Sequence, residues 1–88
     1  MKQIEYTKQF QKRLKQRYGN QPKVIARLQE HLELFSQGRR EQPINDHSLT
    51  GPLKGLRAFS VGGDIRVVYR ETEDSYLLLD IGSHNQVY

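Results

Sequence analysis

An α+β fold, with two helices packed on one face of a twisted, mostly antiparallel sheet that ends in a three-strand meander, follows from three features of this 88-residue chain. Apolar residues recur at helical spacing in two stretches before Gly38, three strand-like runs follow Gly55, and short turn-forming segments separate those runs. Helices first and strands afterwards, with one short strand at the start, is the order expected when the helices lie to one side of a sheet.

Ile4 and Tyr6 alternate with polar neighbours, which predicts a short strand over residues 2–6. Thr7 offers a side-chain oxygen to cap the helix that follows. There Phe10, Leu14 and Tyr18 recur every four residues, so they share one side and leave lysines and arginines on the other. Gly19-Asn20 stops it. Pro22, with Asn20 or Gln21 as cap, opens a second helix whose Val24, Ile25, Leu28, Leu32 and Phe35 form an apolar stripe, and Gly38 closes it. His31 falls at the edge of that stripe and reads as a helix-flanking residue, not as a ligand or base.

Residues 39–54 show no period and are punctuated by Pro43, Asn45, Asp46, Gly51 and Pro52. A loop this long in so small a domain tends to be functional. Strands are expected over residues 56–61, 65–70 and 76–81. Gly62-Gly63 is a two-residue hairpin signal, because glycine tolerates the positive φ such turns need, and residues 71–75 make a longer polar loop. Alternation puts Phe59, Val61, Ile65, Val67, Tyr69, Leu77, Leu79 and Ile81 on the helix-covered face. Ala58, Ser60, Arg66, Arg70, Tyr76 and Asp80 then line the opposite face, expected to be an open polar platform.

Composition bounds the function. With 35 % hydrophobic residues, no Trp and no Cys, one small domain over residues 1–88 is expected, with no disulfide framework to support it. No apolar run is long enough for a signal peptide or a membrane span, so a soluble cytoplasmic protein with no membrane partner is the expectation. Residues 1–40 carry ten Lys/Arg against three Asp/Glu, and residues 41–88 carry four against seven, which is +7 followed by −3. Such a basic half is an electrostatic footprint for nucleic acid or for an acidic protein segment. Lys8, Lys12, Arg13, Lys15, Arg17, Lys23 and Arg27 meet almost no acidic partner four residues away that would mark a self-paired surface.

Three histidines without cysteine or clustered spacing give no reason to expect a metal, and no cofactor is expected. There is no Gly-x-Ser-x-Gly elbow, and Gly51-Pro52-Leu53-Lys54-Gly55 lacks the spacing of a phosphate loop. What remains is His47, in Asp46-His47-Ser48-Leu49-Thr50-Gly51, and His84, in Gly82-Ser83-His84-Asn85-Gln86-Val87-Tyr88. Both lie in polar segments where packing demands no imidazole, and imidazole is the usual proton carrier near neutral pH. Asp64 can orient or accept a proton, and arginines can balance anionic charge. Two histidines and an arginine suffice for metal-free RNA cleavage, in which a 2′-hydroxyl attacks the adjacent phosphate.

The joint pattern Asp46-His47-x-Leu49-x-Gly51-x-x-x-Gly55-x-Arg57, then Val61-x-x-Asp64, Tyr69 and Gly82-Ser83-His84-x-x-x-Tyr88 resembles the YafQ-type branch of the RelE/ParE superfamily of toxin-antitoxin toxins. The resemblance spans nearly the whole chain and implies a RelE-like fold. It also implies a ribosome-dependent endoribonuclease that cleaves mRNA in the decoding site, touches rRNA through its basic helices and is neutralised by a cognate antitoxin. His47, Asp64 and His84 match catalytic positions, Arg57 matches an arginine beside the site, and Tyr88 matches the aromatic that stacks on a base. Arg66 and Lys54 are the further expected substrate contacts. His84 is expected as general acid or phosphate contact and His47 as general base assisted by Asp64, with the two histidine roles exchangeable.

Two positions depart from the family pattern. Ser60 stands where YafQ-like proteins often place a further catalytic histidine, and Asp80 where many carry an arginine. The departures imply weaker cleavage, altered codon preference or compensation by Arg66, and they keep open a non-catalytic, gyrase-directed toxin of the same fold. The basic half alone would also suit a small nucleic-acid-binding module.

Overall fold

The computed structural model describes residues 2–88. Its elements run β1 (Gln3–Tyr6), α1 (Lys8–Tyr18), α2 (Pro22–Ser36), β2 (His47–Ser48), β3 (Arg57–Gly62), β4 (Ile65–Glu71), β5 (Ser75–Ser83) and α3 (His84–Val87). The sheet order is β1-β5-β4-β3-β2, with β1 parallel to β5 and the other pairs antiparallel. This is the expected α+β architecture, with α1 lying against β5 and α2 against β3 on one face.

Local chemistry starts and stops the helices where the sequence indicates. Thr7 Oγ1 accepts the Phe10 N–H at 3.2 Å and donates to the Leu78 carbonyl at 2.7 Å, so the cap of α1 also ties it to β5. Pro22 opens α2 after Gln21, and beyond Ser36 the Gly38 and Arg39 N–H groups close on the Phe35 and Leu34 carbonyls. Between helices and sheet, Phe10, Tyr18, Val24, Leu28 and Phe35 meet Ile44, Phe59, Val61, Val67, Tyr69, Leu78 and Ile81. Phe35 is the hub, stacked on Phe59 at 4.8 Å between ring centres and edge-on to Tyr69 and Tyr76 at 5.0 and 4.8 Å.

Four local expectations are corrected. The turn between β3 and β4 is Gly63-Asp64, one residue later than Gly62-Gly63, because the register slips between Ser60 and Gly62. Gly62 and Gly63 still carry the positive φ of the turn, at 102° and 56°. In β5 it is Leu78, not Leu77 or Leu79, that is fully buried on the helix face. A bulge explains the difference: Val68 pairs with Asp80 but Tyr69 with Leu78, so alternation loses one residue and Tyr76 moves to the helix side. The segment expected to be loop throughout contains β2 and a single 3-10 turn, Gly51–Leu53.

The opposite face is not an open platform. A second, smaller core of Leu49, Ala58, Val68 and Val87, flanked by Leu53 and Leu56, covers its centre. His31 is buried, and its Nδ1–H donates to the Ser60 carbonyl at 2.6 Å, closing the edge of β3 where β2 no longer pairs. Among the described residues no helix is long and apolar enough to cross a membrane.

Candidate active site

The site is assembled by α3 folding back across the second core. Ser83 pairs with Ile65 at the end of β5, and Gln86 Oε1 accepts the Ser83 N–H at 2.7 Å in a capping box that opens α3 with His84 as its first residue. One turn later Val87 enters the second core, and Tyr88 follows it. The Tyr88 ring stands edge-on to the His84 imidazole at 4.6 Å, while its hydroxyl lies 3.5 Å from His47 Nε2, at the limit of hydrogen bonding. Tyr88 therefore sits between the two histidines, all three being exposed. Partial desolvation of the Tyr88 phenol against its neighbours raises its pKa, an effect that Arg66 opposes.

His47 is held in a defined tautomer. Asn45, left-handed at φ 51°, a conformation asparagine tolerates, presents its carbonyl 3.0 Å from His47 Nδ1. A carbonyl only accepts, so Nδ1 carries a proton, and in the neutral ring the lone pair is on Nε2, the nitrogen facing Tyr88. The residue between them is anchored more firmly still. Only 3 % of the Asp46 side chain is exposed, and its carboxylate meets Arg40 Nε at 3.3 Å, Arg57 Nη2 at 3.2 Å and the Tyr69 hydroxyl at 2.7 Å. The Arg40 guanidinium also lies 4.0 Å over the Phe35 ring, so the loop carrying His47 is bolted to the main core.

This network takes up Arg57. Its Nη1 donates to Ser48 Oγ at 2.8 Å and its Nε to the Tyr69 hydroxyl at 3.2 Å, and the hydrogen bond to Asp46 raises its pKa. Arg57 thus supports the loop and does not face the histidines as a free cation. Burial, reinforced by Asp46, pushes the Tyr69 phenol well above its ordinary range. Composition gave no sign of this function for Asp46, Arg40 or Tyr69, which come from one loop and from β4. The available signals were the position of Asp46 beside His47 and the presence of Asp46 and Tyr69 in the family pattern.

The remaining expected residues divide. Asp64 is exposed in the β3–β4 turn, next to Ile65 and so at the end of the sheet from which His84 emerges. Among the described residues it forms no salt bridge and no hydrogen bond to either imidazole. Arg66, directly across from Ser60, donates to the Gly63 carbonyl at 3.0 Å and acts on Tyr88 through its charge. Ser60 is 7 % exposed and its hydroxyl accepts the Gly62 N–H at 3.0 Å, so it braces the turn. Lys54 lies apart, lining a groove of about 390 Å³ with Ser48, Arg57 and Glu71 at the other end of β4. Asp80, expected on the open face, instead bonds Arg17 of α1 at 3.2 Å. Among the described residues no three His, Asp or Glu side chains gather as a metal site would need.

A helix-backed mixed sheet, with one exposed histidine in β2 and another just beyond β5, has the architecture of a RelE-like toxin fold. A family profile described as bacterial toxin of type II toxin-antitoxin system, YafQ, matches residues 2–88, and the chain belongs to that family. Curated protein sequences give no match. Among solved structures, YafQ from E. coli strain BL21(DE3) superposes with a TM-score of 0.82 at 24% identity, over 100% of this chain and 99% of that one. The E. coli DinJ-YafQ complex gives 0.80 at 26% identity over 100% and 99%. A copper-bound mutant toxin from Helicobacter pylori gives 0.80 at 27% identity over the whole of both chains.

Proposed function

We propose that this toxin is an endoribonuclease that cleaves ribosome-bound mRNA without a metal, and that a cognate antitoxin neutralises it. The observation that carries this reading is the placing of Tyr88 between His47 and His84, with His47 Nε2 left as an acceptor. In the proposed reaction a ribose 2′-hydroxyl attacks the neighbouring phosphorus while His47 Nε2 takes its proton. His84 gives a proton to the departing 5′-oxygen, leaving a 2′,3′-cyclic phosphate and a 5′-hydroxyl. Arg66, whose charge acts on Tyr88, opposes the phosphorane charge, and Tyr88 offers a ring for a base to stack on. Asp64, exposed at the same end of the sheet, assists proton acceptance from the turn. Lys54 binds RNA only where the strand extends along the second face towards β2. Residues present in the chain supply every proton and charge that these steps use.

An antitoxin partner is supported by the E. coli relative, whose structure is a DinJ-YafQ complex. The seven-charge excess on residues 1–40 suits an acidic segment in such a partner as well as rRNA.

Incubation of purified protein with ribosomes programmed by a defined mRNA, followed by mapping of the cut ends, tests the reading. Cleavage with cyclic phosphate ends is expected from the native chain, with a loss of about 100-fold or more in His84→Ala, the usual worth of a general acid or base. Full cleavage by the His47→Ala, His84→Ala double variant would falsify the acid-base assignment.

A further inference from the structure

Arg17 is remote from the histidines in sequence and lies on the helix layer, yet its guanidinium reaches the end of β5 from which His84 hangs. Nη1 donates to Asp80 Oδ1 at 3.2 Å and to the Ile81 carbonyl at 2.8 Å, and Asp80 Oδ1 also accepts the Ile81 N–H at 2.8 Å. Both members of the ion pair are largely enclosed, with 18% and 19% of their side chains exposed. The bulge in β5 falls at this point, between Leu78 and Asp80, so the strand there lacks a regular ladder to hold its direction.

The same contact reaches onward to α3. A Cβ added to Gly82 would lie 2.5 Å from Arg17 Nη1 and 2.8 Å from Gln86 Oε1, so the ends of two side chains close over this backbone and a side chain here would displace them. Gln86 is the residue that caps α3 through the Ser83 N–H. A continuous set of contacts therefore runs from Arg17 through Asp80, Ile81 and Gly82 to Gln86, with His84 as the first residue of the helix that Gln86 holds.

We infer that Arg17 and Asp80 form a clasp that positions His84, setting the direction in which α3 leaves the sheet. Arg17 is on this account a positioning residue and touches no substrate, and the effect on catalysis rests on the endoribonuclease reading above. The clasp also gives Asp80 a purpose. The guanidinium arrives from α1 and the strand contributes the carboxylate.

Arg17→Ala and Asp80→Asn, each compared with the native chain, test the clasp by two readings. Carbon-proton correlation spectra of the histidine rings are expected to show the His84 signal moved in both variants, with that of His31, buried against Ser60, in place. In ribosome-dependent cleavage, kcat is expected to fall on the order of 10- to 100-fold with KM little changed, as misplacement of a catalytic group does. The Arg17→Ala, Asp80→Asn double variant is expected to lose little more than Arg17→Ala alone, because the two residues act as one unit. If Arg17→Ala fails to fold, Asp80→Asn reads the same signal. A His84 signal unmoved in a folded variant overturns the clasp. Absence of cleavage by the native chain overturns the endoribonuclease reading instead, and the ring spectra still decide the clasp.

Discussion

At the scale of single residues, the chemistry of this toxin depends on side chains that make no contact with one another in sequence. Asp46 satisfies its buried carboxylate with two guanidinium groups and a phenol, and that arrangement holds the neighbouring backbone from which His47 projects. Such a carboxylate is costly to bury unless it is paired and hydrogen-bonded, and here every demand is met. Tyr69 has a consequence for pH. Its pKa is raised in the folded protein, chiefly by burial, so the folded state favours the neutral phenol. That contribution is complete below the ordinary tyrosine pKa of about 10 and is lost as pH rises beyond it. Tyr69→Phe is expected to flatten the alkaline limb of a stability-pH curve from chemical denaturation, while costing about 1 to 3 kcal/mol at neutral pH through the hydrogen bond taken from Asp46. An unchanged alkaline limb would count against the phenol as its source. His47 and His84 stood out in the sequence because polar surroundings give an imidazole no packing role, whereas Tyr88 entered only through the family pattern. The partners of Asp46 did not, since Arg40, Arg57 and Tyr69 meet only when one loop and two strands converge.

At the scale of elements, helix periodicity proved a stronger guide than strand alternation. Phe10, Leu14 and Tyr18, and then Val24, Leu28 and Phe35, turn inward as their spacing requires, because a helix of this length has no device that shifts its phase. A strand has one. The bulge in β5 moves burial from Leu77 and Leu79 to Leu78, and no composition signal announces a bulge between three consecutive leucines. Leu78→Ala is therefore expected to cost about 2 to 5 kcal/mol and Leu79→Ala about 1 kcal/mol or less, read from urea unfolding midpoints. Equal losses would place the phase error elsewhere. β2 escaped notice for a simpler reason: two residues are too few to display a period.

For the whole molecule, the governing feature is the separation of charge from chemistry. The helices of residues 1–40 hold the excess positive charge, while the titratable site lies beyond residue 45 on the far side of the sheet's last strands. Under the proposed function, attraction to nucleic acid and cleavage fall on different surfaces, and the first responds to salt in a way the second does not. Lys12 and Lys15 are exposed on α1. Replacing both with Ala is expected to lower the slope of ribosome affinity against salt, on logarithmic axes, by about two. Sedimentation binding at several salt concentrations measures it, and an unaltered slope would show that α1 does not meet phosphate.

The second core, small as it is, makes the site a matter of local equilibrium. α3 is four residues long and is held by Val87 against Leu49, Ala58 and Val68. Its release would part Tyr88 from His47 while leaving the main core, the helices and most of the sheet intact. Under the proposed function, the fraction of molecules competent for catalysis would follow this docking step, whose free energy is bounded by that of unfolding. A protein partner that captured α3 in its released position would silence the toxin by drawing off this population, without having to cover either imidazole.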